Sequence, residues 1–169
     1  MANSVVRRLG RPLHRTGYRL VYRRFADAPL DARAEGRFNR QDESRTTYLS
    51  LTRRTATLEV AKRWGSVGAN RSAYVEFEIP FRLRRIVDLT DPDTAAALGV
   101  SRETLTGSDL RECQALAGRL RAEDIEGILT WSAADPEGKN LVIFLDQLDP
   151  ASSIGPPLTL DSSEEVAEL

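Results

Sequence analysis

The sequence predicts an α+β fold, a mixed β-sheet core with flanking helices. Short runs rich in β-branched and aromatic residues recur along the chain, at Tyr18–Tyr22, Thr46–Leu51, Ser72–Ile79 and Leu141–Leu145. Between them lie stretches with apolar residues at helical spacing, Arg53–Trp64 and Leu110–Leu120. The pattern mixes strands and helices, and no repeat or linker divides the 169 residues, so a single mixed domain is expected.

Taken in order, residues 1–16 read as a basic flexible leader carrying Arg7, Arg8, Arg11 and Arg15. No apolar stretch of the kind a secretory signal needs follows them before Tyr18. Tyr18-Arg19-Leu20-Val21-Tyr22 is a first strand, and the main domain runs from residue 17 to 150. Residues 26–46, polar and punctuated by Pro29, Gly36 and Asn39, form an irregular excursion. Thr46–Leu51 is a strand. Thr52 caps a helix over Arg53–Trp64 with Ala56, Val60 and Ala61 on its apolar side, ended by Gly65 and Gly68. Ser72–Ile79 alternates Tyr74, Glu76 and Glu78 with Val75, Phe77 and Ile79, the period of a half-buried strand. Pro80 should break it, leaving Arg84–Leu89 as a separate strand. Asp91-Pro92 opens a short helix over Thr94–Leu98, stopped by Gly99. A longer helix from Gly107 or Ser108 to Leu120 places Leu110, Cys113, Leu116, Ala117 and Leu120 on one side, with Cys113 in its core. Gly127–Trp131 is a strand, Ala134–Asn140 a loop, and Leu141–Leu145 an apolar strand. From 151 to 169 the chain reads as a mobile tail with an acidic end (Glu164, Glu165, Glu168).

Composition narrows the function classes. The longest apolar runs fall far short of the roughly 20 residues that a membrane-spanning helix needs. The single cysteine, Cys113, excludes an internal disulfide, and with the one histidine, His14, near the N-terminus, neither a zinc site of several His and Cys ligands nor Ser-His-Asp catalysis is expected. The single cysteine fits a reducing cytoplasm. Residues 1–64 carry 15 Lys and Arg against 6 Asp and Glu, the remainder 9 against 19. A basic half suits an anionic ligand such as a nucleotide; it is equally a solvated face paired with the acidic half of the same fold.

One stretch carries chemistry. Gly36-Arg37-Phe38-Asn39, Tyr48-Leu49-Ser50 and Ala56-Thr57-Leu58-Glu59-Val60 set an arginine, a tyrosine and a glutamate at the edges of apolar runs, and Ser132 adds a hydroxyl. Such a set can hold a phosphate-bearing nucleoside and break its glycosidic bond. Guanidinium groups bind phosphate oxygens bidentately. A tyrosine offers a flat face for a ring. A carboxylate stabilises the positive charge that builds on a ribose as the bond breaks.

Together with Tyr18-Arg19, Val87-Asp88-Leu89, Ser132-Ala133 and Asn140 before the last apolar strand, this order resembles the RES domain family from about residue 18 to 150. The resemblance implies an NAD-degrading toxin of a bacterial toxin–antitoxin system, with an Xre-type helix-turn-helix antitoxin as partner. It implies cleavage of the nicotinamide–ribose bond by hydrolysis or phosphorolysis, and a fold like that of the diphtheria-toxin group of ADP-ribosyltransferases. Carried over by position, Arg37, Glu59 and Ser132 are catalytic, and Arg19, Tyr48 and Asn140 bind substrate. NAD is the substrate, with inorganic phosphate as the co-substrate of the phosphorolytic route. No cofactor, metal, membrane or direct nucleic-acid contact is expected. Phe38 stands where many members carry tryptophan, and the loop Arg40–Thr46 is unusually charged and lacks the glycine often found there. Two other readings stay open: mono-ADP-ribosyl transfer to a protein target, and a non-enzymatic basic binding module.

Overall fold

Two long strands set the frame. The computed structural model of the chain describes residues 5–31, 35–41, 45–64 and 71–160. Strand β1 (Arg11–Tyr22) runs antiparallel to β3 (Tyr74–Asp88), paired from Arg11 opposite Ile86 to Tyr22 opposite Tyr74. Strand β2 (Thr46–Ser50) is antiparallel to β5 (Lys139–Phe144), β5 is antiparallel to β4 (Gly127–Trp131), and β4 is parallel to the end of β3. Because β1 also meets β2 at Tyr18 opposite Ser50, the pairings β1–β2–β5–β4–β3–β1 close into a ring.

Side chains alternate across each strand, so the ring sorts its apolar residues into two cores. Val21, Leu49, Phe77, Leu129 and Leu141, one from each strand of the ring, meet in the inner core. Ile128, Val142 and Phe144 face outward and are covered by Leu98, Leu105, Leu116 and Leu120. These leucines belong to or flank α3 (Pro92–Ala97), α4 (Arg102–Thr106) and α5 (Arg111–Arg121). Burying each contributes about 1.5–3 kcal/mol relative to exposure. The α+β architecture expected from the sequence is the one observed. Helix α2 (Arg53–Trp64) has the bounds expected, while Gly65 and Gly68 lie outside the described residues. Among the described residues no helix is long and apolar enough to cross a membrane.

Four expectations change. The leader expected over 1–16 is, from residue 5, structured: α1 (Val5–Leu9) leads into β1, which starts at Arg11. Leu13 packs on the inner core, and Arg7 bonds Asp124 at 2.7 Å. Pro80 does not break a strand; β3 runs through it. On that edge β3 pairs with β7 (Leu158–Leu160) at Glu76–Glu78 and with β6 (Ser153–Ile154) at Phe81–Arg82. The Pro80 carbonyl accepts from Gly155 N at 2.8 Å, so the missing N–H falls on the same edge, between the two short ladders where no donor is called for. The same pairings make residues 153–160 part of the sheet instead of a mobile tail, and 161–169 lie outside the described residues. Finally, the helix expected from Gly107 or Ser108 begins at Arg111 and is preceded by α4, capped by Ser101. With Leu105 its single buried residue, α4 offered too little periodicity to be read.

Glu126 holds the closing segment. Fully buried, it accepts from the N–H groups of Arg84 and Arg85 on β3, both at 2.7 Å, and of Asp149 at 2.6 Å. One carboxylate thus satisfies three backbone donors from two distant stretches.

Candidate active site

Polar contacts place helix α2. The Thr52 hydroxyl accepts from Thr55 N at 3.1 Å, capping the helix as expected. Arg53 grips buried Glu76 of β3 with two prongs, Nε and Nη2, each at 2.8 Å. Thr55, Glu59 and Lys62 then fall on one helix face, at i, i+4 and i+7. All three bond the loop between β4 and β5. Thr55 Oγ1 donates to Asp135 Oδ2 at 2.8 Å, Ser132 Oγ donates to Glu59 Oε1 at 2.5 Å, and Lys62 Nζ donates to the Ala133 carbonyl at 2.6 Å.

Glu59 is the centre of this network. Its Oε1 takes a second bond from Asn140 Nδ2 at 2.6 Å, and Asn140 Oδ1 accepts from Ser50 Oγ at 2.8 Å. Ser132 Oγ itself accepts from the N–H groups of Ala134 and Asp135, at 3.1 and 3.0 Å, which turns its own hydrogen toward Glu59. Both bonds to Glu59 fall on Oε1; among the described residues no donor reaches Oε2. Thr130 stands directly opposite Asn140 on β4, on the same sheet face, with its side chain buried. Among the described residues its hydroxyl has no hydrogen-bond partner. A carboxylate oriented through one oxygen, amid buried hydroxyls, is suited to stabilising positive charge on a ligand beside the other oxygen. Among the described residues no three His, Cys, Asp or Glu side chains gather as a metal site would require.

Comparison with known proteins now bears on this geometry. A family model described as the RES domain matches residues 7–163. The chain belongs to the RES domain family. A Mycobacterium tuberculosis protein described as a probable NAD(+) phosphorylase is 29% identical over 123 residues, covering 69% of this chain and 57% of that protein. The chain therefore spans little more than half the length of that relative. Among solved structures, a chain of the M. tuberculosis MbcT–MbcA toxin–antitoxin complex superposes with a TM-score of 0.68 at 21% identity, covering 92% of this chain and 91% of that one. This likeness establishes a shared fold.

The six residues singled out from the RES order do not all converge. Glu59, Ser132 and Asn140 are bonded together as described. Tyr48 lies on the same face as Ser50, two residues along β2, or about 7 Å. Its hydroxyl donates to Asn39 Oδ1 at 2.6 Å and accepts from Phe38 N at 2.9 Å, fastening the Gly36–Asn39 turn. A Cβ at Gly36 would run into that hydroxyl, so glycine is needed there. Arg37, carried on this turn, donates to the Gly107 carbonyl at 2.7 Å, between α4 and α5, and makes no hydrogen bond to Glu59. Arg19 lies elsewhere. Because Tyr18 faces Ser50, strand alternation sends the next side chain to the inner face, where Arg19 bonds the Thr47 hydroxyl and the Asp31 carbonyl. Of the early pair it is Tyr18 that shares the face of the Glu59 network.

Ser50, Thr130, Thr55 and Asp135 were not among the site residues expected from sequence. The signal for Thr55 was the polar stripe Thr55–Glu59–Lys62 on a helix read for its apolar side. Asp135, in a turn-rich loop, had none.

Proposed function

We propose that the chain degrades NAD, breaking the bond between nicotinamide and ribose, and acts as the toxin of a toxin–antitoxin pair. The observation that carries this reading is the Glu59 carboxylate, held through Oε1 by Ser132 and Asn140 with Oε2 turned to neither. RES membership, the printed description of the mycobacterial relative and the complex to which the structural neighbour belongs support it. A fold of the ADP-ribosyltransferase type is part of the same reading.

In this mechanism Glu59 Oε2 sits against the nicotinamide ribose. As the C1′–nitrogen bond lengthens, positive charge spreads over C1′ and the ring oxygen, and the carboxylate stabilises it. Ser132 and Asn140 keep the carboxylate from turning. Nicotinamide leaves as a neutral amide, taking the bonding pair. An oxygen of inorganic phosphate then bonds to C1′, giving ADP-ribose 1-phosphate; water in the same position, giving up one proton to solvent, gives ADP-ribose. The relative's description favours phosphate. Tyr18 and Tyr48 flank the network and offer ring faces, and Arg37, which uses Nη1 for the Gly107 carbonyl, supplies its other guanidinium donors to the pyrophosphate. NAD is substrate here and no metal takes part. An Xre-type helix-turn-helix antitoxin that covers the site in the cytoplasm is the partner of this reading.

The test is incubation of the purified chain with NAD, with and without inorganic phosphate, following free nicotinamide. Release that accelerates with phosphate is expected. No release in either condition from folded protein would sink the reading.

A further inference from the structure

Among the described residues, two of the three links from α2 to the β4–β5 loop lie one helical turn apart, and only one of these two touches the proposed chemistry. Glu59 bonds Ser132; one turn earlier, Thr55 bonds Asp135, three residues further along the loop. The second link is the more deeply set. Thr55 is fully buried and Asp135 is 3% exposed, so their bond forms away from water. Asp135 also organises the loop. Its N–H donates to Ser132 Oγ at 3.0 Å, its carbonyl accepts from Gly138 N at 2.9 Å, and Ser132 N donates to the Gly138 carbonyl at 3.0 Å. The backbone at 138 passes so close that a Cβ there would lie 2.5 Å from Thr55 Oγ1 and 2.8 Å from Asp135 Oδ2.

We infer that Thr55 and Asp135 are positioning residues that set the Glu59–Ser132 geometry, docking the Ser132 loop on the helix face that presents Glu59. This rests on the role given to Glu59 above. The chain of contact is continuous: Thr55 hydroxyl, Asp135 carboxylate, Asp135 N–H, Ser132 hydroxyl, Glu59 carboxylate. Without the Thr55 hydroxyl, nothing else described ties Asp135 Oδ2 to α2. The loop then hangs from α2 by Ser132 itself and by the exposed Lys62 contact, and Ser132 no longer meets Glu59 at a fixed distance. A displacement near 1 Å at a reacting group lowers rate by about 100-fold, while substrate contacts made elsewhere persist.

The experiment compares the full chain with T55V, T55S and D135N. T55V keeps the shape of threonine and removes the hydroxyl; T55S keeps the hydroxyl and removes the methyl. Nicotinamide release from NAD should show kcat reduced by about 10- to 100-fold in T55V, with KM little changed, and largely restored in T55S. Equal losses in T55V and T55S, or a folded T55V with the kcat of the parent chain, would overturn the inference. Should T55V not fold, D135N decides. In the parent chain Asp135 Oδ1 accepts from Glu137 N at 3.3 Å while Oδ2 takes the Thr55 hydroxyl. The neutral amide has one acceptor oxygen for both, so kcat should fall by about tenfold, and an unchanged kcat is contrary. A crystal structure of T55V or D135N gives a reading free of activity. Ser132 Oγ moved out of hydrogen-bond reach of Glu59 supports the inference, and the pair kept at 2.5 Å opposes it. A parent chain that releases no nicotinamide defeats the NAD reading alone, and the crystallographic comparison still stands.

Discussion

Tyr18 and Arg19 are adjacent in sequence and point to opposite faces of β1, a separation that only the pairing of Tyr18 with Ser50 reveals. The residue order made Arg19 a phosphate ligand, but strand parity is invisible until register is known. Glu59, Ser132 and Asn140, brought together on paper by the resemblance to the RES order, are bonded to one another in the structure. Thr55 and Asp135 were not legible, since a buried threonine–aspartate bond has no sequence signature. The separation predicts a contrast in kinetics. Tyr18→Ala should raise KM for NAD by about tenfold, whereas Arg19→Ala should lower the melting temperature with KM unchanged; the reverse pattern would put Arg19 in the site. Cys113 offers a second check. It is fully buried; burial pushes its thiol up, with nearby Arg37 opposing. A thiol reagent at pH 8 should therefore react with it only after denaturation, and rapid labelling of the native chain would contradict the placement.

Among elements, α2 decides the site. Its bounds and its Thr52 cap were readable from sequence, but its docking was not, because the contacts are polar and reach residues far along the chain. The Arg53–Glu76 pair illustrates the point: the partners are 23 residues apart and the glutamate is buried. Removing the guanidinium leaves that carboxylate, among the described residues, with Arg71, 3.9 Å away, as its ion-pair partner. Arg53→Met should cost about 3 kcal/mol in urea unfolding. Arg7→Met, which breaks exposed pairs to Glu123 and Asp124, should cost about 0.5 kcal/mol or less. Equal effects would mean that the Arg53 link does not dock the helix. The run of β3 through Pro80 was hidden for a related reason. Proline interrupts a strand unless its edge carries no ladder at that point, and the edge is defined by residues 153–160.

For the whole molecule, the α+β class followed from the alternation of strand and helix patterns, while closure of the sheet into a ring did not. Closure depends on β1 reaching both β2 and β3, a relation of strands with no local trace. The charge split between the halves is in part internal. Arg7 and Arg53 of the basic half pair with Glu123, Asp124 and Glu76 of the acidic one. Glu126 ties the closing segment to β3, and Glu126→Ala would take this acceptor from the Arg85 and Asp149 N–H groups and leave that of Arg84 with Ser152 Oγ alone, at 3.2 Å. A loss of about 3 kcal/mol or more is expected by chemical denaturation; a change below about 1 kcal/mol would show that this hub is dispensable.

The central claim is that the Glu59 carboxylate breaks the nicotinamide–ribose bond. The most direct measurement compares the parent chain with Glu59→Gln in nicotinamide release from NAD in the presence of phosphate. Glutamine keeps the shape and can still accept from Ser132 and Asn140, so the melting temperature should stay within about 3 °C. The account predicts that the parent chain releases nicotinamide and that the variant is slower by at least about 100-fold. A folded Glu59→Gln protein that releases nicotinamide at the parental rate would contradict it.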